Sequence, residues 1–153
     1  KPFPFTDKSI TICYGQDFGY AAGYNATVMV GIDYRKKIIY LKEIIYTNRT
    51  GTKTLLQMFE HKIEKRYFIV ADSANPQMIH DIREADYNIK AIKKPSVEYS
   101  VQKMKDYDIY VDPDSVNLMR ELDMYHEKEG VIIQKNNHAI DAGRYGFWWL
   151  INA

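Results

Sequence analysis

Three carboxylates and one imidazole fall where the pattern of this chain suits chemistry. Asp17 closes an alternating run from Ile10 to Gln16, and Asp72 closes the continuous apolar run from Tyr67 to Ala71. Asp141 follows His138 by three residues near the start of the last amphipathic stretch. In open α/β sheets, the carboxyl ends of neighbouring parallel strands line the crevice where ligands bind. If the first and fourth strands are neighbours, Asp17 and Asp72 converge there, and the last helix brings Asp141 beside them. Close carboxylates repel one another by about 4 kcal/mol per pair at roughly 4 Å in an effective dielectric of about 20. Such a group takes up protons or recruits cations. Hard divalent ions such as Mg²⁺ or Mn²⁺ suit it, because they bind a few carboxylates and keep waters for a substrate phosphate. Two such ions about 3.5–4 Å apart activate a water and steady the leaving oxygen in phosphodiester cleavage.

Each residue taken alone also has a plainer role. An aspartate at a strand end is commonly a turn former, and Asp72 stands where it could cap a helix starting near Pro76. Asp141 suits the first turn of a helix through the dipole, and His138 suits an exposed first-turn position. Their joint placement at one predicted edge is what points to a site.

The elements that must position these groups can be read from periodicity. Ile10 to Gln16, Ala26 to Asp33 and Ile38 to Ile45 are three β-rich runs, and their short connections predict an antiparallel meander. Thr50-Gly51-Thr52 offers N-cap chemistry before a stripe of Leu55, Leu56, Phe59 and Ile63. After the buried strand ending at Ala71, Pro76 opens a helix that turns Met78, Ile79, Ile82 and Ala85 inward. Ile89 to Ile92 is a short strand, Ser96 caps a helix to about Lys105, Ile109 to Val111 is a brief strand, and Ser115 to Tyr125 is helical. A turn at Glu127 to Gly130 separates two short β segments, and a helix runs from about Asn137 to Leu150. This order predicts an α/β fold with a mixed central sheet, a three-strand meander plus parallel strands, covered by helices on both faces. The RNase H-like topology has this order of elements, as do some other α/β folds.

Length and composition set the outer bounds. At 153 residues the chain suits one domain, which buries about 70% of the surface its unfolded chain would expose. With 46% hydrophobic and 27% charged residues it is not a disordered chain. The net charge of +1 excludes a tail-like polycation, while leaving room for a local basic face. Cys13 is the only cysteine, which excludes an intrachain disulfide and a thiolate zinc cage and fits a reducing compartment. The apolar run Gly146 to Ile151 is too short to cross a bilayer. The start, Lys1-Pro2-Phe3-Pro4, has neither a secretory core nor an initiator Met, and predicts a fragment of a longer protein.

Three motifs carry a family likeness: Gly15-Gln16-Asp17-Phe18-Gly19-Tyr20, Ala71-Asp72-Ser73-Ala74-Asn75-Pro76, and Asn137-His138-Ala139-Ile140-Asp141-Ala142-Gly143-Arg144-Tyr145. Together with the segment Ser115 to Tyr125, they resemble the C-terminal nuclease domain of the large terminase subunits of tailed phages, the motors that package and cut viral DNA. The resemblance implies residues 1–153 as a single RNase H-like nuclease domain, a metal-dependent endonuclease acting on double-stranded DNA in the cytoplasm of the infected bacterium. It implies Asp17, Asp72 and Asp141 as catalytic acids holding two Mg²⁺ or Mn²⁺ ions, with His138 as an auxiliary catalytic residue. It also implies an ATPase domain preceding this one, and a portal and small terminase subunit as partners. No phosphate-binding Gly-x-x-x-x-Gly-Lys-Ser/Thr motif occurs in this chain. Two features depart from the family pattern: Asn75 stands where many relatives have Glu, and Ile92-Lys93-Lys94-Pro95-Ser96 replaces a loop that is often glycine-rich.

Lys90, Lys93, Lys94, Lys103 and Lys105 fall in one stretch with a single acid, Glu98, between Tyr87 and Lys105. Beside the acid crevice, Lys93, Lys94, Lys103 and Lys105 would neutralise DNA phosphates without reading sequence. The same lysines also fit an ordinary solvated helix face. Two other readings of the whole chain stay open: a resolvase or transposase core of the same fold, and a non-catalytic module that docks on DNA or a portal.

Overall fold

Apolar alternation in the meander and continuous burial in the fourth strand put two hydrophobic layers on opposite sides of one sheet. The computed structural model describes residues 2–19, 24–48, 51–125, 127–128, 131–132 and 137–153. Lys1, Tyr20, Thr50 and Gly130, which figured in the sequence reading, lie outside the described residues.

The strands are β1 (Thr11–Asp17), β2 (Tyr24–Asp33), β3 (Ile38–Asn48), β4 (Ile69–Asp72), β5 (Ile89–Ile92) and β6 (Asp108–Val111), joined in the order β5-β4-β1-β2-β3-β6. β1, β2 and β3 form the expected antiparallel meander, while β4 pairs parallel to β1, β5 to β4 and β6 to β3. Interposed are α1 (Thr52–Lys62), α2 (Pro76–Glu84), α3 (Val97–Met104), α4 (Val116–Met124) and α5 (His138–Asn152). A separate hairpin pairs β7 (Glu127–Lys128) with β8 (Val131–Ile132).

One layer gathers Tyr14, Met29, Ile69 and Ala71 with Leu55 and Phe59 of α1 and Ile79 and Ile82 of α2. The other gathers Cys13, Val28, Val30 and Val70 with Leu118 of α4 and Ala142, Tyr145 and Phe147 of α5. Odd-numbered positions of β1 and even-numbered positions of β4 therefore face α5. Asp17, four residues after Cys13, and Asp72, two after Val70, belong to that face.

β3 departs from simple alternation. Val28 pairs with Glu43 and Thr27 with Ile45, so Ile44 is an extra residue. This bulge puts Ile44 and Ile45 together on the α1 side and returns Tyr46 to the α5 side, where Leu41 also packs.

α5 is nearly surrounded. Ala139, Ala142, Gly143 and Gly146 let it lie close to the strands, and Tyr145, Phe147 and Leu150 fill the layer around it. A Cβ on Gly15 would overlap the carbonyl oxygen of Ala142, and one on Gly146 would sit 2.9 Å from Val30 Cγ2 and 3.1 Å from Cys13 Sγ. The two glycines bring the helix onto the backbone of β1.

Ser96 caps α3 as its residue type predicts, accepting a hydrogen bond from Tyr99 N at 3.2 Å. The fourth strand begins at Ile69 rather than Tyr67, and Phe68 before it is exposed. Met119 and Met124 of α4 are exposed.

Candidate metal and nuclease centre

Gln16 of β1 pairs with Ala71 of β4 in parallel register. Asp17 and Asp72 are the next residues along each strand, so they stand side by side at the carboxyl edge of the sheet. Neighbouring strands are about 4.8 Å apart, which sets the scale of their separation. From the helical side, α5 begins at the same edge and carries His138 at its first position and Asp141 one turn later.

His138 Nδ1 lies 3.3 Å from Asp17 Oδ2, and both side chains are mostly buried. The ring of Tyr24 stands 5.7 Å from the imidazole, centroid to centroid, so His138 is held between an aromatic face and a carboxylate. The bond to Asp17 raises the affinity of His138 for its proton, outweighing burial, and the charges of Glu121 and Asp141 add to it. Asp17 is itself shifted upward: burial disfavours its charge and Asp141 repels it, while His138 and Lys94 compensate in part. Asp17 and Asp141 thus sense each other across the strand–helix junction.

The charges of all three acids are felt at Tyr145. Burial raises the pKa of this phenol, and Asp17, Asp141 and Asp72 each push it further, while Arg144 opposes them. Tyr145 lies one turn beyond Asp141 on α5 and is fully buried.

Each acid is also engaged by protein donors. Asp72 Oδ1 accepts from Ala74 N at 3.2 Å, the turn-forming role open to any aspartate at a strand end. Asp141 Oδ1 accepts from Arg144 Nη2 at 3.2 Å. Among the described residues, no three His, Cys, Asp or Glu side chains close on a single point as placed. The donor chemistry nonetheless fits hard divalent ions: carboxylate oxygens, partly exposed, on one edge.

Arg144 and Glu121 are parts of the site that sequence reading did not single out. The Arg144 guanidinium is wholly buried; Nη1 donates to Pro95 O at 3.2 Å and Ser100 Oγ at 3.0 Å, and Nε has no partner. It ties Asp141 to the start of α3. Glu121 on α4 accepts from Ile140 N at 3.0 Å and from Ala139 N at 3.2 Å. A lone Arg within a hydrophobic helix was the available signal for the first. Nothing local marks the second.

The lysines divide. Lys93 and Lys94 are exposed in the connection from β5 to α3, and Lys94 lies near enough to Asp17 to lower its pKa. Lys103 lies over the Tyr99 ring, beside Trp148 near the far end of α5. Lys105 borders an apolar cleft with Met104, Ile109, Leu122 and Ile140.

The model of a family described as "Terminase RNAseH like domain" matches residues 17–148. The PBSX phage terminase large subunit of Bacillus subtilis (strain 168) is 26% identical over 126 residues, 78% of this chain and 29% of that protein. The terminase large subunit of Bacillus phage SPP1 is 32% identical over 147 residues, 87% of this chain and 35% of that protein. The chain therefore spans about a third of the length of these curated relatives. The crystal structure of the g2p (large terminase) nuclease domain of bacteriophage SPP1 with bound Mn superposes with a TM-score of 0.81. It is 27% identical, and the match covers 91% of this chain and 86% of that one.

Proposed function

The chain belongs to the terminase RNase H-like domain family, and we propose that it is the metal-dependent nuclease of a phage large terminase, cutting double-stranded viral DNA during packaging. The observation that carries this reading is the placement of Asp17 and Asp72 as successors of a parallel register pair, with Asp141 and His138 delivered to the same edge by α5. The manganese in the similar SPP1 nuclease domain supports the choice of cation.

In this reading Asp17, Asp72 and Asp141 would hold two divalent ions. Bound there, such ions would supply positive charge to the phosphate and lower the pKa of a water for attack near neutral pH. The chain's own groups do the rest. His138, oriented by Asp17 and Tyr24, can hold or release a proton at this edge. Arg144 fixes the carboxyl group of Asp141. Lys93 and Lys94 flank the edge and neutralise DNA phosphates, positioning the duplex without reading bases. Lys103 and Lys105 lie apart from this edge, beside Trp148 and the apolar cleft, and would meet the duplex only away from the acids.

The chain spans about a third of its curated relatives, which supports a larger protein with a preceding ATPase domain. A portal and a small terminase subunit complete the proposed partners, in the cytoplasm of the infected host. Among the described residues, no helix is long and apolar enough to cross a membrane.

The deciding experiment is supercoiled-plasmid cleavage with Mn²⁺, Mg²⁺ or EDTA, comparing the chain with Asp141→Asn. Metal-dependent nicking that the substitution abolishes is the expected result. A folded chain that binds DNA but cleaves nothing under any metal would replace this reading with a docking module. Preference for branched over linear duplexes would move it to a resolvase.

A further inference from the structure

α4, which follows β6, and α5, which begins at the acid edge, both receive their N-terminal caps from a glutamate on another element. Ser115 precedes α4 but makes no side-chain cap; its hydroxyl accepts instead from Glu43 N at 2.9 Å. The carboxylate of Glu43 does the capping from β3, accepting from Leu118 N at 2.8 Å and Asn117 Nδ2 at 2.8 Å. The arrangement repeats one step later. Asn137, a residue type well suited to capping, does not cap α5 with its side chain. Glu121 of α4 does so, one oxygen on Ala139 N and the other on Ile140 N, with the Tyr46 hydroxyl as a third donor.

A cap from within the helix stabilises that helix wherever it lies. A cap from a neighbour also fixes where it lies. Glu121 is 3% exposed, and its carboxylate faces the positive end of α5, where charge-assisted bonds to backbone N–H groups are strongest. The amides it holds belong to the two residues between His138 and Asp141. The β3 bulge contributes too, because it places Tyr46 on this side of the sheet.

We propose that Glu121 is a positioning residue for the metal site, a carboxylate that binds no ion itself but sets the first turn of α5, and so His138 and Asp141, against Asp17. This rests on the nuclease reading for what those residues then do. Partners that orient metal ligands are worth about 10–100-fold in metal affinity, and that is the effect expected here. A cap serving only helix stability would lower the melting temperature and leave metal affinity alone.

The test compares the unaltered chain with Glu121→Gln, which keeps the shape but turns one acceptor into a donor facing an N–H. Leu55→Ala on α1 serves as a control for lost stability, since Leu55 is buried in the layer on the opposite side of the sheet. Amide hydrogen exchange is read at Ala139 and Ile140, and Mn²⁺ titrations follow both melting temperature and plasmid nicking. The expected outcome for Glu121→Gln is faster exchange at those two amides and a Mn²⁺ half-saturation raised about tenfold. Leu55→Ala is expected to melt earlier with an unchanged half-saturation. Glu121→Asp, which keeps the charge but shortens the reach, should shift less, and decides the matter if the glutamine variant does not fold. An unchanged half-saturation in Glu121→Gln, or an equal shift in Leu55→Ala, overturns the proposal. If the unaltered chain neither binds Mn²⁺ nor nicks DNA, the nuclease reading and the metal role fall together. The exchange rates then still decide whether Glu121 holds the helix start.

Discussion

Gly15 and Gly146 face each other where α5 crosses β1, the Gly15 N standing 3.4 Å from the point a Cβ of Gly146 would occupy. The helix backbone rests on the strand backbone, which is why a carboxylate on the first turn of α5 reaches one at the end of β1. Gly15→Ala would drive a methyl into the Ala142 carbonyl, part of the rigid helix backbone. Overpacking of this kind costs about 1–3 kcal/mol, and the helix must move away from Asp17 to relieve it. Gly146→Ala meets the movable side chains of Val30 and Cys13 and should cost less. Urea unfolding checks the ranking, which fails if Gly146→Ala is the worse of the two.

Asp17→Asn should abolish cleavage without loss of stability in the absence of metal. Burial and the charge of Asp141 raise the pKa of Asp17 above its ordinary value of 3.8. Between 3.8 and that raised value the native state holds more protons than the unfolded one, so this group's contribution to stability falls as pH rises through the interval. At neutral pH the ionised carboxylate is the strained form, and a neutral amide relieves it, offset by a weaker bond to His138. Melting in EDTA at neutral pH should be no lower for Asp17→Asn, while the gain on adding Mn²⁺ should appear only in the unaltered chain. A large loss of melting temperature in EDTA would assign Asp17 a structural role.

Much of this was legible in the chain, and the failures have physical causes. Asp17 and Asp72 could be placed at strand ends because β1 alternates and β4 is apolar throughout, patterns that burial imposes directly. Ser96 announced its helix by side-chain chemistry that acts three residues away. The β3 bulge left no mark, since Ile44 and Ile45 read as one apolar run whether or not the register slips. Glu121 looks like any helical glutamate, because its partners lie 18 and 19 residues further on. Arg144 was quoted within a motif, but only packing reveals that it is buried and bonded to the start of α3.

Arg144→Lys should not rescue Arg144→Ala. The guanidinium spans Pro95 O, Ser100 Oγ and Asp141 Oδ1 with two nitrogens in a fixed plane. A single ammonium cannot reproduce that fork. Removing one partner of a buried pair costs about 3–5 kcal/mol, and the exposed part of Asp141 sets the lower end as the expectation. Thermal unfolding of both variants provides the check, and recovery of unaltered stability by lysine would contradict it.

Asp112 should govern part of the acid limb of stability, far from the acids of the site. Burial pushes its pKa up, but bonds from Phe3 N at 3.0 Å and Asp114 N at 3.1 Å, with Lys42 Nζ at 3.6 Å, prevail and hold it below 3.8. The unfolded chain then takes up a proton before the native one does. The stabilisation is complete above the unfolded value of 3.8 and disappears as pH falls through the lower native value. Asp112→Asn removes this dependence and one acceptor, at a cost of about 1–3 kcal/mol near neutral pH. Since Asp112 joins the N-terminal segment to the loop before α4, its loss should also free Phe3 from the layer it shares with Tyr14 and Met29. Unfolding midpoints followed from about pH 7 down to about pH 2 should therefore converge for the two proteins toward the acid end. Parallel curves across that range would show that the Asp112 carboxylate is not what anchors the segment.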